Sequence, residues 1–183
     1  MRFPAFFDTN VLYGALLNDL VLHLADAGLY RPLWSSDVLA ELRRNLVNKG
    51  ESEALVEKRV GTMATYFPDA MVLGYADLIP AMTNDPKDRH VLAAAIRGRA
   101  EVLVTFNIRD FPESSLDGYD LEIVHPDAFL LDQLDLHPRP TREVVEHLVA
   151  AYARPEVTLH DYLLTLTRAG VPEFASELRR LLL

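Results

Sequence analysis

Four acids stand where open α/β proteins bind ligands, outside the carboxyl ends of strands. Asp8 follows the short apolar run Phe3 to Phe7, and Glu41 lies at the edge of the helical stripe Val38, Leu39, Leu42 and Leu46, one turn from Asn45. Asp88 ends the segment NDPKD ahead of the apolar stretch Val91 to Ile96, and Asp110 follows an apolar run ending in TFN. Each acid alone has a plainer use as a helix cap, a partner of a helix dipole, a solvated helical charge or a turn residue. Together they crowd one edge of a sheet, and crowded carboxylates need protons or a cation to coexist. With no cysteine and with six histidines at no ligand spacing, the donors are oxygens. Oxygen ligation suits magnesium or manganese rather than zinc. Such ions activate water and stabilise the charge that develops when a phosphodiester is cleaved.

Neighbouring residues have auxiliary uses. Thr9, Asn10, Ser36 and Thr105 can orient metal-bound water or contact a phosphate, or can cap a helix or turn. Arg89 and Arg109, each one residue from a proposed metal acid, are expected as phosphate contacts. His90 lies beside Asp88 but reads as a structural or solvated histidine. Arg43, Arg44, Lys49, Lys58 and Arg59 alternate with Glu51, Glu53 and Glu57, which reads as an ordinary solvated face.

The elements that must position these groups alternate along the chain. Strands are expected at Phe3 to Phe7, Tyr30 to Trp34, Met71 to Leu73, Glu101 to Phe106 and Leu121 to Val124. Helices are expected over 11–29, from Ser36, over 51–66 and from the Pro86 turn through Ile96, with Gly14 and Asn18 as interruptions of the first. That alternation implies a parallel sheet with helices on both faces. The run DLHPRP, residues 135–140, reads as a linker, and three helices follow over 141–153, 158–169 and 171–183. The expected organisation is an α/β unit at 1–134, the linker, and a helical extension at 141–183.

Composition excludes several classes. At 183 residues with 50% hydrophobic and 25% charged side chains, the chain is long and apolar enough to fold around its own core. The lack of cysteine removes disulfides, thiolate metal sites and a cysteine nucleophile, and fits a reducing compartment. No apolar run reaches membrane-spanning length, and the N-terminus lacks a signal-peptide core, so a cytoplasmic protein is expected. The net charge of −9 argues against a polyanionic partner. Residues 87–109, however, carry a local net charge of +3, and a cation held by the acids would draw a phosphate regardless.

The ordered set DTN (Asp8, Thr9, Asn10), SSDVLAEL with Glu41, DPKDRHVLAAA with Asp85 and Asp88, and VTFNIRDF with Thr105, Asn107 and Asp110 resembles the PIN-domain ribonucleases of the VapC toxin type. The resemblance covers about residues 3 to 131, including HPDAFLL. It implies a PIN-like five-stranded parallel sheet flanked by helices and a magnesium- or manganese-dependent endoribonuclease. In the toxin branch it also implies a small cognate antitoxin, and it suggests a homodimer. Residue by residue it maps the metal-binding carboxylates to Asp8, Glu41 and Asp88, with Asp110 as the fourth acid and Asp85 and Asn107 on the rim. The chain continues about 45 residues past the usual end of such toxins, resembling a longer branch with a helical C-terminal extension.

Other functions fare less well. A phosphoacceptor receiver needs a lysine after its last strand, and no lysine follows Val124. An inactive scaffold is disfavoured because all four acids are present. An RNA-processing or structure-specific nuclease outside a toxin pair uses the same residues and stays open.

Overall fold

The computed structural model describes residues 2–152 and 157–182. The apolar run that opens the chain is β1 (Pro4–Phe7), with Ala5, Phe6 and Phe7 wholly buried. It is the central strand of a five-stranded sheet. β2 (Arg31–Ser35) and β3 (Met71–Val72) extend the sheet on one side, and β4 (Val102–Val104) and β5 (Glu122–Val124) on the other, all parallel in the order β3-β2-β1-β4-β5. Phe6 pairs with Leu33 of β2 and with Leu103 of β4. The chain winds outward from β1 to β3, then crosses back to β4. The strand order therefore reverses between β1 and β4, where a crevice opens at the carboxyl ends.

The helices follow from caps and apolar spacing. The expected helix over 11–29 is two helices, α1 (Thr9–Tyr13) and α2 (Ala15–Asp26), separated at Gly14, whose backbone is extended. Asn18, the other expected interruption, stays within α2, where its buried amide lies 3.8 Å from the Met63 sulfur. α3 (Ser36–Asn48) starts at Ser35, whose hydroxyl accepts from the Val38 amide at 3.2 Å. Its stripe Val38, Leu39, Leu42 and Leu46 is buried, which turns Glu41, Asn45 and Asn48 to the flank. α4 (Glu53–Tyr66) is capped by Ser52. α5 (Arg89–Arg97) follows a 3-10 turn over Pro86–Asp88 and buries Val91 to Ala95 against the sheet. Tyr30 and Phe129 close a ring cluster with Phe7 at centroid distances of 5.0 to 5.6 Å.

The C-terminal part comprises α6 (Pro126–Leu136), α7 (Pro138–Ala151), α8 (Leu159–Arg168) and α9 (Pro172–Leu182). The expected linker over 135–140 is instead a helix junction. α6 runs to Leu136, only His137 intervenes, and Pro138 is the first residue of α7. A first-turn proline loses no hydrogen bond and is preset for helix, so these prolines start a helix where they were read as breaking one. The last residues of two expected helices, Ala153 and Leu183, lie outside the described residues. α9 packs on α6, and α7 packs on α2. Val145, Leu148, Tyr162, Leu163, Leu166, Phe174 and Leu178 are buried in one core continuous with the sheet. The buried Asp127 carboxylate, in the first turn of α6, accepts from the Glu173 and Phe174 amides at 3.0 and 2.8 Å. Those amides are otherwise unpaired at the N-terminus of α9.

Candidate active site

Asp8 leaves β1 where the strand order reverses, and both of its carboxylate oxygens accept hydrogen bonds. Oδ1 accepts from the Thr9 amide at 2.7 Å, capping α1. Oδ2 accepts from the Thr105 hydroxyl at 2.7 Å and from Asn10 Nδ2 at 2.8 Å. The same Asn10 nitrogen reaches the Thr105 oxygen at 3.1 Å, while Asn10 Oδ1 accepts from the Phe106 amide at 3.1 Å. The Thr105 hydroxyl in turn accepts from the Asn107 amide at 3.0 Å. Thr105 follows β4, so this mesh ties the ends of the two central strands and fixes the orientation of Asp8. Thr9 is buried and donates its hydroxyl to the Val38 carbonyl at 3.3 Å, which joins α1 to α3.

Glu41 and Asp88 face Asp8 across a cavity of about 560 Å³ that is also lined by Thr9, Asn10 and Asn107. Asp88 ends the 3-10 turn before α5 but makes no capping hydrogen bond with its side chain. Its buried Oδ2 accepts no hydrogen bond and lies 3.8 Å from Lys87 Nζ, too far for one. Lys87 pairs instead with Asp110 at 3.1 Å. Burial pushes the Asp8 carboxyl above its usual range, against the lowering effect of the Thr105 and Thr9 hydrogen bonds, and the charge of Glu41 adds to the rise. Asp88 is pushed up to about 7, first by burial, then by the charge of Asp8 and by its contact with Asp110, with Lys87 opposing. Burial and mutual negative charge are the penalties a divalent cation removes.

The remaining expected residues are placed as follows. Asp85 caps the 3-10 turn through the Lys87 amide at 3.1 Å, and its own amide donates to the Asp110 carbonyl at 3.1 Å, so it braces the loop. Arg89 donates to the Asn84 carbonyl at 3.3 Å, and neither it nor the exposed Arg109 lines the cavity. Ser36 lies 3.1 Å from the Tyr75 hydroxyl, in a contact between α3 and the loop after β3. His90 approaches Glu41 at 3.9 Å, closer to the site than a merely solvated residue would be. Tyr13, Asn45, Asn48 and Lys49 line the same cavity and were not foreseen as site residues. Asn45 and Asn48 had a signal, since they lie four and seven residues after Glu41 and so share its helix face. Among the described residues no three acids or histidines stand close enough together to hold a metal ion as they are.

The PIN domain family model matches residues 4–109, which hold β1 through β4 and the acids Asp8, Glu41, Asp85 and Asp88, but not Asp110. The chain belongs to the PIN-domain family. A second family model, the VapC50 C-terminal domain, matches residues 126–180, so the helical extension after the PIN domain is shared with that longer branch. The chain is also 52% identical over 112 residues to the protein named "Putative ribonuclease VapC50" of Mycobacterium tuberculosis, covering 61% of this chain and 66% of that relative. It thus spans just under two thirds of the relative's length. No solved structure matches. The expected resemblance and the expected five-stranded parallel PIN fold are both met.

Proposed function

We propose that this PIN domain is a metal-dependent endoribonuclease and the toxin of a toxin-antitoxin pair. The observation that carries the chemistry is the buried Asp88 Oδ2, which accepts no hydrogen bond beside two further carboxylates at the crevice between β1 and β4. A buried acceptor without a donor is costly, and a cation answers it. Asp8, Glu41 and Asp88 would hold the ion, with Asp110, which pairs with Lys87 and lies outside the cavity lining, as the fourth acid. Magnesium or manganese fits this all-oxygen donor set. When bound, such an ion supplies an acidified water and charge stabilisation for phosphodiester hydrolysis.

The chain's own residues prepare that chemistry. Thr105 and Asn10 hold Asp8 Oδ2, and the single bond from Thr9 leaves Oδ1 with acceptor capacity to spare. Asn107 is exposed on the rim of the cavity and would donate to a phosphate oxygen. Thr9, which lines the cavity, is buried and is held by its hydroxyl on the Val38 carbonyl. All the acids of this reading lie in residues 1–134 and none in 141–183, which supports assigning catalysis to the first part and access to the second.

A small antitoxin and a homodimer are further parts of the proposal, supported by family membership and by the relative's name. Among the described residues no helix is long and apolar enough to cross a membrane, and a cytoplasmic location is a further part of the proposal. The chemistry is tested by incubating the purified chain with structured and single-stranded RNAs in magnesium, manganese or EDTA. Cleavage with either metal and none in EDTA is expected, and cleavage undiminished by EDTA would overturn the reading. Growth arrest on expression, relieved by a small protein encoded beside it, is the corresponding test of the toxin assignment.

A further inference from the structure

Past its carboxylates the active-site cavity changes chemistry. The continuing wall consists of Tyr13 at the end of α1 and of Asn45, Asn48 and Lys49 along α3. Glu41, Asn45 and Asn48 succeed one another at intervals of about one turn, so the stripe runs about 10 Å along the helix away from the acids. Tyr13 is held in place from behind. The half-buried Arg59 of α4 donates to the carbonyls of Leu12 and Tyr13 at 2.5 and 3.1 Å, which anchors the end of α1. Lys49 Nζ stands 5.1 Å from the centre of the Tyr13 ring, so an exposed ammonium, not an apolar neighbour, covers that face. Arg43, on the same helix, is turned the other way and is paired with Glu57 at 2.9 Å.

We propose that this wall is a nucleotide subsite that takes one unpaired RNA base beside the scissile phosphate. The base stacks on Tyr13, its edge meets the Asn45 and Asn48 amides, and Lys49 shifts from the ring to the backbone phosphate. This rests on the nuclease reading of the acids. The chemistry of the wall favours a base over a phosphate backbone, because it offers one aromatic face, two neutral amides and a single cation. Unpaired bases are recognised by such stacking and by hydrogen bonds to their edges. The charge balance points the same way. A chain of net charge −9 gains no long-range attraction for RNA, so affinity must come from short-range contacts. One lysine contact to phosphate also implies a shallow salt dependence, with a slope of about −0.7 in log K against log salt for a single strand.

The test is steady-state cleavage of short single-stranded RNAs of defined sequence by the full-length chain with magnesium. Tyr13→Leu, Tyr13→Phe, Asn48→Ala and Lys49→Ala are compared with the wild type. Tyr13→Leu is expected to raise KM about tenfold with kcat little changed, in keeping with the cost of losing a base stack. Tyr13→Phe keeps the ring and recovers most of that loss. Asn48→Ala alters base preference at one position next to the cut, and Lys49→Ala flattens the salt slope. The magnesium-induced rise in Tm stays at the wild-type value in all four, which separates this wall from the ion site. If the wild type cleaves no RNA, the nuclease reading fails and takes the subsite with it. If it cleaves, and both Tyr13→Leu and the exposed Asn48→Ala keep wild-type KM and base preference, the subsite alone is overturned. Should Tyr13→Leu not fold, Asn48→Ala decides.

Discussion

Gly170 and Phe106 touch across the boundary between the C-terminal helices and the active site, so closely that a Cβ on Gly170 would lie 2.8 Å from Phe106 Cε1. Gly170 turns the chain from α8 to α9 with φ +93, a conformation that side-chain-bearing residues resist. Phe106 lies between Thr105, which donates to Asp8, and Asn107, which lines the cavity. Its other neighbour is the His125 ring, edge-on at 5.1 Å. The extension therefore presses on the loop that holds the first acid, although it contributes no acid itself. Gly170→Ala is expected to cost about 1–2 kcal/mol for the backbone and about 1–3 kcal/mol more for the forced contact. Gly50 has φ +102 with open space around it, so Gly50→Ala carries only the backbone part. Thermal melts of the two variants measure the difference, and kcat should fall only in Gly170→Ala. Equal kcat in both would show that the extension does not reach Asp8 through Phe106.

Divalent cations should stabilise the folded chain by mass action. At a concentration about 100 times Kd the gain is about 2.7 kcal/mol, or a rise in Tm on the order of 5–10 °C for a domain of this size. Asp8→Asn and Asp88→Asn each remove a charged ligand and should abolish cleavage. The Tm of Asp88→Asn without metal should hold level or rise, because it relieves the repulsion described above, whereas Asp8→Asn also removes an acceptor from the Thr9, Thr105 and Asn10 donors and should melt lower. A triple variant of Asp8, Glu41 and Asp88 should lose nearly all of the metal-induced rise. Wild-type Tm that ignores millimolar magnesium and manganese would sink the assignment of these acids as ligands.

The raised Asp88 carboxyl gives the metal-free chain a pH dependence of definite sign. An unfolded aspartate titrates near pH 3.9, about three units below the folded value of about 7. Between those limits the folded state binds the extra proton, so stability falls as pH rises through that window. Asp88→Asn removes its share of that fall and leaves the part due to Asp8, whose carboxyl burial also raises. Melting without metal at intervals from pH 4.5 to 8 checks this, and a wild-type Tm that varied with pH no differently from the variant's would contradict it. With metal present the proton competes for the same oxygen, so apparent metal affinity should weaken below about pH 7.

The parts of the site that were legible in the sequence are those that local order dictates. Asp8 directly follows an apolar run, and Thr105 follows another, so their place at strand ends needed only the recognition of two strands. Glu41 was legible from the buried stripe beside it. Of the unforeseen residues, Asn45 and Asn48 share the helix face of Glu41, whereas Tyr13 depends on contacts distant in sequence. Tyr13 faces the cavity because α1 breaks at Gly14 and because Arg59, 46 residues later, holds its carbonyl. Arg89 shows the converse, since adjacency to Asp88 suggested a shared role. Successive helical residues point in different directions, however, and its guanidinium meets the Asn84 carbonyl. The misread linker has a similar origin, because a proline marks a break or a start according to whether the next turn finds a surface to pack on, and α7 finds α2.

Asp127 should anchor the extension more than any other single side chain. It is buried and accepts two backbone amides of α9, so Asp127→Ala leaves both amides without a partner. The expected cost is about 1–3 kcal/mol, seen as a lower Tm and as earlier proteolysis within residues 157–182. Asp127→Asn keeps one acceptor oxygen and should cost less. Removing the extension altogether, by ending the chain after Leu136, would uncover the side of α6 on which α9 lies and the buried face of α2 beneath α7. That much exposed apolar surface should lower solubility. Any soluble fraction should keep the metal-induced rise in Tm, because the acids remain, but should cleave more slowly, because Phe106 loses the Gly170 contact. Unchanged kcat in a soluble truncated chain would confine the extension to a stabilising role. A truncated chain that binds metal and cleaves nothing would mean that the extension supplies a group the reaction needs, and the division at residue 134 would then be wrong.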